Sequence, residues 1–182
     1  MVLINDGKGR GRSASVNEAQ QLNVHAVTNS FLQYESEANG NAYTWSTGSI
    51  STGGAKTDSA LMIKNTARGY LHIDRIIISS TTNGAYDIRV TTINNPSGTV
   101  VSGLNMNTQS GNVPDALSYY KETTNKGSGE IISSFFVGAY NPFTFDTRGL
   151  FLSKNKCLTI TSASASTMSV TVFGHYVLEP VV

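Results

Sequence analysis

From residue 59 onward, short apolar-rich runs bounded by turn residues follow one another, and the chain reads as strand upon strand. This pattern predicts strands over Ser59 to Asn65, Tyr70 to Ser79, Ala85 to Ile93, Gly98 to Val101, Glu130 to Val137, Gly149 to Leu152, Cys157 to Ala163 and Met168 to Leu178. Turn signals separate almost all of them: Asn83-Gly84 is a hairpin dipeptide, Asn95-Pro96-Ser97-Gly98 a turn, and Lys154-Asn155-Lys156 a short reversal. In Ala85 to Ile93 the alternation is strict. Tyr86, Ile88 and Val90 share one face, and Asp87, Arg89 and Thr91 the other, which predicts one wet face.

Upstream, from Gln21 to Thr28, Leu22, Val24 and Ala26 alternate with Asn23 and His25, predicting a half-buried strand with His25 directed outward or towards a partner. Ser30 followed by Gln33 has the spacing of a capping box, and Asn39-Gly40 is a helix stop, so one short helix is expected near residues 30–39. The run NAYTWSTGSIS is again extended, with Tyr43 and Trp45 on one side and Gly53-Gly54 closing it. Residues 1–16 interleave Gly7, Gly9 and Gly11 with Lys8, Arg10 and Arg12 and carry no core-facing period, so they read as an extended amino-terminal arm. The segment Leu104 to Gly129 reads as a long connection with one or two strands inside it. Many short strands, polar turns and almost no helix predict an all-β protein: the arm 1–16, then a single antiparallel β-sandwich or jelly-roll domain over 17–182. No repeat of fixed period points to a β-helix or propeller.

Composition narrows the function classes. Charged residues are 14% of the chain, against about 25% in an average domain, while the 182 residues include 22 Ser, 20 Thr and 16 Asn. The formal net charge of +1 gives no field that would recruit nucleic acid or an anionic membrane, so neither is an expected partner. No run approaches the roughly 18 apolar residues of a membrane span, and the first residues lack the apolar core of a signal peptide, so a cytosolic product is expected. The single cysteine, Cys157, excludes an internal disulfide and fits a reducing compartment. Asn95-Pro96-Ser97 is the sole Asn-x-Ser/Thr match and its proline disqualifies it.

Catalytic signatures are scarce. There is no Gly-x-Ser-x-Gly elbow to expose a nucleophilic serine. Cys157 and His175 fall on strands that can be neighbours, which is more often an ordinary sheet pair than a thiolate couple. His72 and Asp74 project from one face of a strand and need a third ligand to hold a divalent metal. Asp6 is followed by Lys8 and Arg10, which repel cations, and the glycines around them follow no strand and precede no helix, unlike a phosphate-binding loop. The scattered acids single out no glycosidase pair, and Glu35 and Glu37 read as exposed helix residues. Tyr43, Trp45, Tyr119 and Tyr120 keep a glycan open as a partner, though not the favoured one, because Trp45 in an alternating strand reads as core. The expectation is a non-enzyme without cofactor or metal.

Several segments resemble the virion structural proteins of tailed bacteriophages, in particular jelly-roll capsid decoration, or cement, proteins. They are the opening DGKGRGRSASVNEAQQLNVHAVT, the Ala42 to Gly48 step, the strand Ala60 to Asn65, Asn95 to Thr99 leading to Leu104 to Asn107, and the closing GLFLSKNKCLTI and TMSVTVFGHYVLEP. The resemblance implies a homotrimeric protein of the outer capsid surface, assembled in the bacterial cytoplasm and bound to the major capsid protein. On that reading Lys8, Arg10 and Arg12 of the arm and the Tyr119-Tyr120 pair are the expected capsid or subunit contacts. A tail, neck or fibre-associated component is the alternative within the virion, and a carbohydrate-binding β-sandwich module the alternative from another class. A surface rich in hydroxyl and amide groups and poor in charge suits many modest contacts, which repetition on a lattice would multiply.

Overall fold

The computed structural model describes residues 3–5, 13–16, 22–23, 35–54, 59–92, 95–123 and 129–177. Two compact units divide the chain, Met1–Ser30 and Phe31–Val182. In the first, the expected arm is extended in both its halves, β1 (Leu3–Asn5) and β2 (Ser13–Val16), but the halves pair with each other antiparallel, Leu3 opposite Ser15, and β3 (Leu22–Asn23) pairs with β2. Pairing gives the backbone N–H and C=O groups partners that a solitary arm would leave to water. Lys8, Arg10, Arg12, His25 and the Ser30/Gln33 capping box lie outside the described residues.

The second unit is a β-sandwich. Its strands are β4 (Ala42–Ser46), β5 (Ile50–Thr52), β6 (Ser59–Asn65), β7 (Tyr70–Ser80), β8 (Gly84–Thr92), β9 (Thr99–Val100), β10 (Gly103–Asn105), β11 (Ala116–Tyr120), β12 (Glu130–Val137), β13 (Phe143–Leu152), β14 (Lys156–Ser162) and β15 (Ser166–Val177). The first sheet runs β10-β4-β15-β7-β13, with β5 also on β15; the second runs β12-β8-β14-β6-β11-β9. With β5 and the insert β9–β11 set aside, β4-β15-β7-β13 faces β6-β14-β8-β12, and each consecutive strand changes sheet except at the step from β8 to β12. That wrapping is a jelly roll. The insert extends both sheets at one side, β10 on β4 and β11 on β6.

The core lies between the sheets. Leu71, Ile73, Ile76 and Ile78 of β7, Val170 and Val172 of β15 and Trp45 of β4 meet Leu61 and Ile63 of β6, Ile88 of β8 and Leu158 and Ile160 of β14, all essentially inaccessible. Each such aliphatic side chain contributes about 1.5–3 kcal/mol by leaving water. The inward set of β7 moves from odd to even numbers after Ile73 because Asp74 is bulged out: β15 pairing steps from Arg75 to Ile73 between Phe173 and Gly174, and β13 skips from Asp146 to Leu150. At this bulge a side chain on Gly174 would strike the carbonyl oxygen of His72, so the close approach of β15 to β7 requires glycine. The short helix is one π-helical turn, Glu35–Asn39, packed on β4 and β15.

Candidate functional site

Across the first sheet, His175 of β15, His72 of β7 and Phe151 of β13 occupy one register row. Strand pairing brings their rings together on the outer face. His72 stacks on His175 with centroids 5.1 Å apart and on Phe151 at 5.9 Å, while Tyr70 meets Phe151 edge-on at 5.3 Å. The bulge turns Asp74 toward the same row, where its Oδ2 lies 2.8 Å from His175 Nδ1. Burial lowers the His72 pKa, as does the charge His175 can carry, and Asp74 opposes both.

This Asp–His couple supplies an oriented imidazole, but the chemistry of acyl transfer also needs a nucleophile. Cys157 does not provide it. It lies on β14 of the opposite sheet, fully buried with Met62 beneath Tyr119, its thiol directed at the Asn155 carbonyl 3.8 Å away. His175 thus sits on a different sheet from Cys157, so the two are not the neighbours that the strand pattern allowed. His72 and Asp74 do gain a third polar neighbour in His175, yet among the described residues no group of three or more His, Cys, Asp or Glu is placed to hold a metal ion.

The outer face of the second sheet has a different character. Asp87 accepts hydrogen bonds from Arg89 Nη2 at 2.8 Å and from Ser134 Oγ at 2.7 Å, and Arg89 Nη1 reaches the Gly129 carbonyl at 3.3 Å. Asp87 and Arg89 are buried, so the wet face expected for β8 is not wet. The period-two pattern assigned the residues to the correct face but could not show that they pair and close over the strand. Apolar side chains are exposed at both margins of this sheet: Ile131, Ile132 and Phe136 on β12, and Val100 and Leu117 on β9 and β11.

The aromatic residues expected to meet a partner are mostly occupied. Tyr119 covers Met62 and Cys157, Tyr120 packs against the main core, and both are half-buried. Tyr43 and Trp45 are core. Glu35, expected to be exposed, is buried with Asn39 Nδ2 donating to its Oε2 at 2.9 Å, whereas Glu37 is exposed. Two features escaped the sequence reading. Asp74 and His175 are 101 residues apart, and only the β7–β15 register joins them. Tyr140 is 81% exposed on the β12–β13 turn, where Asn141-Pro142 was the available turn signal. A scan of family models finds no match to this chain, and neither do searches of curated proteins and of solved structures.

Proposed function

We propose that this chain is a non-enzymatic structural protein of a tailed-bacteriophage virion, a decoration protein that binds the outer surface of the assembled head and stabilises it. The observation that carries the reading is the apolar surface at both margins of the second sheet, with Phe136 66% and Val100 66% exposed. Such patches at two separated edges suit a part held by several neighbours, since the centres of protein interfaces are apolar and poor in charge. Two unlike patches also permit head-to-tail contacts between copies, the kind that close into a ring such as a trimer. The short segments resembling cement proteins, the low charge and the jelly-roll fold support the same reading. The major capsid protein is the proposed partner.

Quantitative mass spectrometry of purified virions, calibrated on the major capsid protein, tests it. A copy number on the scale of the capsid protein is expected. A few copies per particle would move the chain to the tail, neck or fibre base, and its absence would overturn the virion reading.

A further inference from the structure

At one end of the sandwich, where β7 ends and β15 begins, the chain forms an open groove of about 260 Å³. Its polar lining is hydroxylic: Ser80, whose Oγ donates to the Thr82 carbonyl at 2.8 Å, and Ser49, Ser79, Thr81, Thr167 and Ser169. Among the described residues none of the last five hydroxyls hydrogen-bonds to the protein, so each is available as donor and acceptor. Tyr140, Pro142 and the edge of Met168 supply the apolar part, and no charged side chain lines the groove.

Tyr140 stands here at a conformational cost. The Asn141 N–H donates to the Gly138 carbonyl at 3.2 Å, closing a turn in which Tyr140 is the third residue with φ +57°, a place that favours glycine or asparagine. Two bonds hold the turn on the β7–β8 connection: Tyr140 N–H to the Ser80 carbonyl at 2.8 Å and Ala139 N–H to Asn83 Oδ1 at 2.7 Å. Core packing does not explain the tyrosine, because its side chain is 81% exposed. A strained, rigidly held residue whose ring faces solvent beside free hydroxyls has the character of a binding position.

We propose that this groove binds a neutral pyranose, with one sugar face on the Tyr140 ring and the sugar hydroxyls bonded to the serine and threonine side chains. Uncharged hydroxyl-rich lining matches a ligand that is itself both donor and acceptor and carries no charge, and the groove volume lies just below the range of about 300–1,000 Å³ typical of drug-sized ligands, as befits one ring.

Titration of the isotope-labelled full chain with the methyl glycosides of glucose, galactose, mannose and N-acetylglucosamine, followed by amide NMR shifts, tests it. Saturable shifts are expected at Ser79, Thr81, Tyr140 and Thr167 for at least one sugar, with Kd of about 1 mM or weaker. Tyr140→Gly should weaken that binding at least tenfold while leaving the unfolding temperature unchanged or raised, since glycine relaxes the positive φ. If that variant does not fold, Tyr140→Asn, which also tolerates this conformation, replaces it. No saturable shift with any neutral sugar up to about 50 mM, undiminished binding in the Tyr140 variant, or binding of N-acetylneuraminic acid alone would each overturn the proposal.

Discussion

Two arginine–aspartate pairs, one on the outer face of each sheet, have the same length and opposite surroundings. Arg75 Nε lies 2.8 Å from Asp146 Oδ1 with both side chains 53% exposed; Arg89 Nη2 lies 2.8 Å from Asp87 Oδ2 with the side chains 11% and 7% exposed. Equal geometry does not mean equal consequence. Water solvates the first pair whether or not it forms, so it contributes about 0–1 kcal/mol. The second has been removed from water, where the loss of a charged partner costs far more. Distance describes the contact, and environment decides what its loss would do.

The largest expected effect tests this contrast directly. Asp87→Ala strands the buried Arg89 guanidinium and should cost about 3–5 kcal/mol in urea denaturation. Replacing both residues, as Asp87→Leu with Arg89→Met, should cost less than the single change because no charge is left unpaired. If Asp87→Ala proves as mild as Arg75→Ala, the comparison fails.

A smaller effect sharpens it from the side of the first sheet, whose outer face is not open everywhere: His175 is only 3% exposed. Gly174→Ala would press a methyl group against the His72 carbonyl and separate β15 from β7 at the bulge. About 1–3 kcal/mol of destabilisation is expected, as for other overpacking changes, measured by thermal and urea unfolding.

Smaller still is the response to acid. His72 has a folded pKa below the ordinary imidazole value of 6.5, chiefly through burial and also through His175. As pH falls below that value the unfolded chain binds protons before the folded one, so the His72 contribution is full above about pH 6.5 and declines as pH drops through the folded pKa. Unfolding midpoints followed from about pH 7.5 to about pH 5 should fall, and His72→Gln should remove that part of the slope. An identical slope in the variant would assign the acid response to other groups.

The smallest effect belongs to the exposed pair. Arg75→Ala should change stability by about 0–1 kcal/mol, and about 1 M salt should erase even that while leaving the Asp87→Ala penalty largely intact.

The contrast also marks what the sequence could disclose. Short apolar-rich runs bounded by turn signals were sufficient for β12, expected over Glu130 to Val137 and found there, and for β6 over Ser59 to Asn65. Strand preference and turn chemistry are local properties of the chain, which is why these strands could be read from it. Phe143 and Phe145 alternate across Thr144, but they follow Asn141-Pro142 and precede Asp146, and the strand expected over Gly149 to Leu152 begins earlier, at Phe143. Which sheet a strand joins is a long-range matter, and the separation of Cys157 from His175 follows from it. The same limit hid the Asp74–His175 bond, and the strain at Tyr140 is a backbone angle that no residue pattern announces.

Strand order also sets a schedule. The last two strands of the sandwich in chain order lie in the middle of the sheets: β14 between β6 and β8, and β15 between β4 and β7. While synthesis is under way, β4, β6, β7 and β8 have emerged but lack the neighbour that joins them, and their Leu, Ile and Val faces wait uncovered. Closure must come after β15 appears, by insertion of this pair into two prepared gaps. Folding dominated by such distant pairings falls in the slow range of about milliseconds to seconds, and the interval before insertion is when the chain is most open to association with the wrong strand.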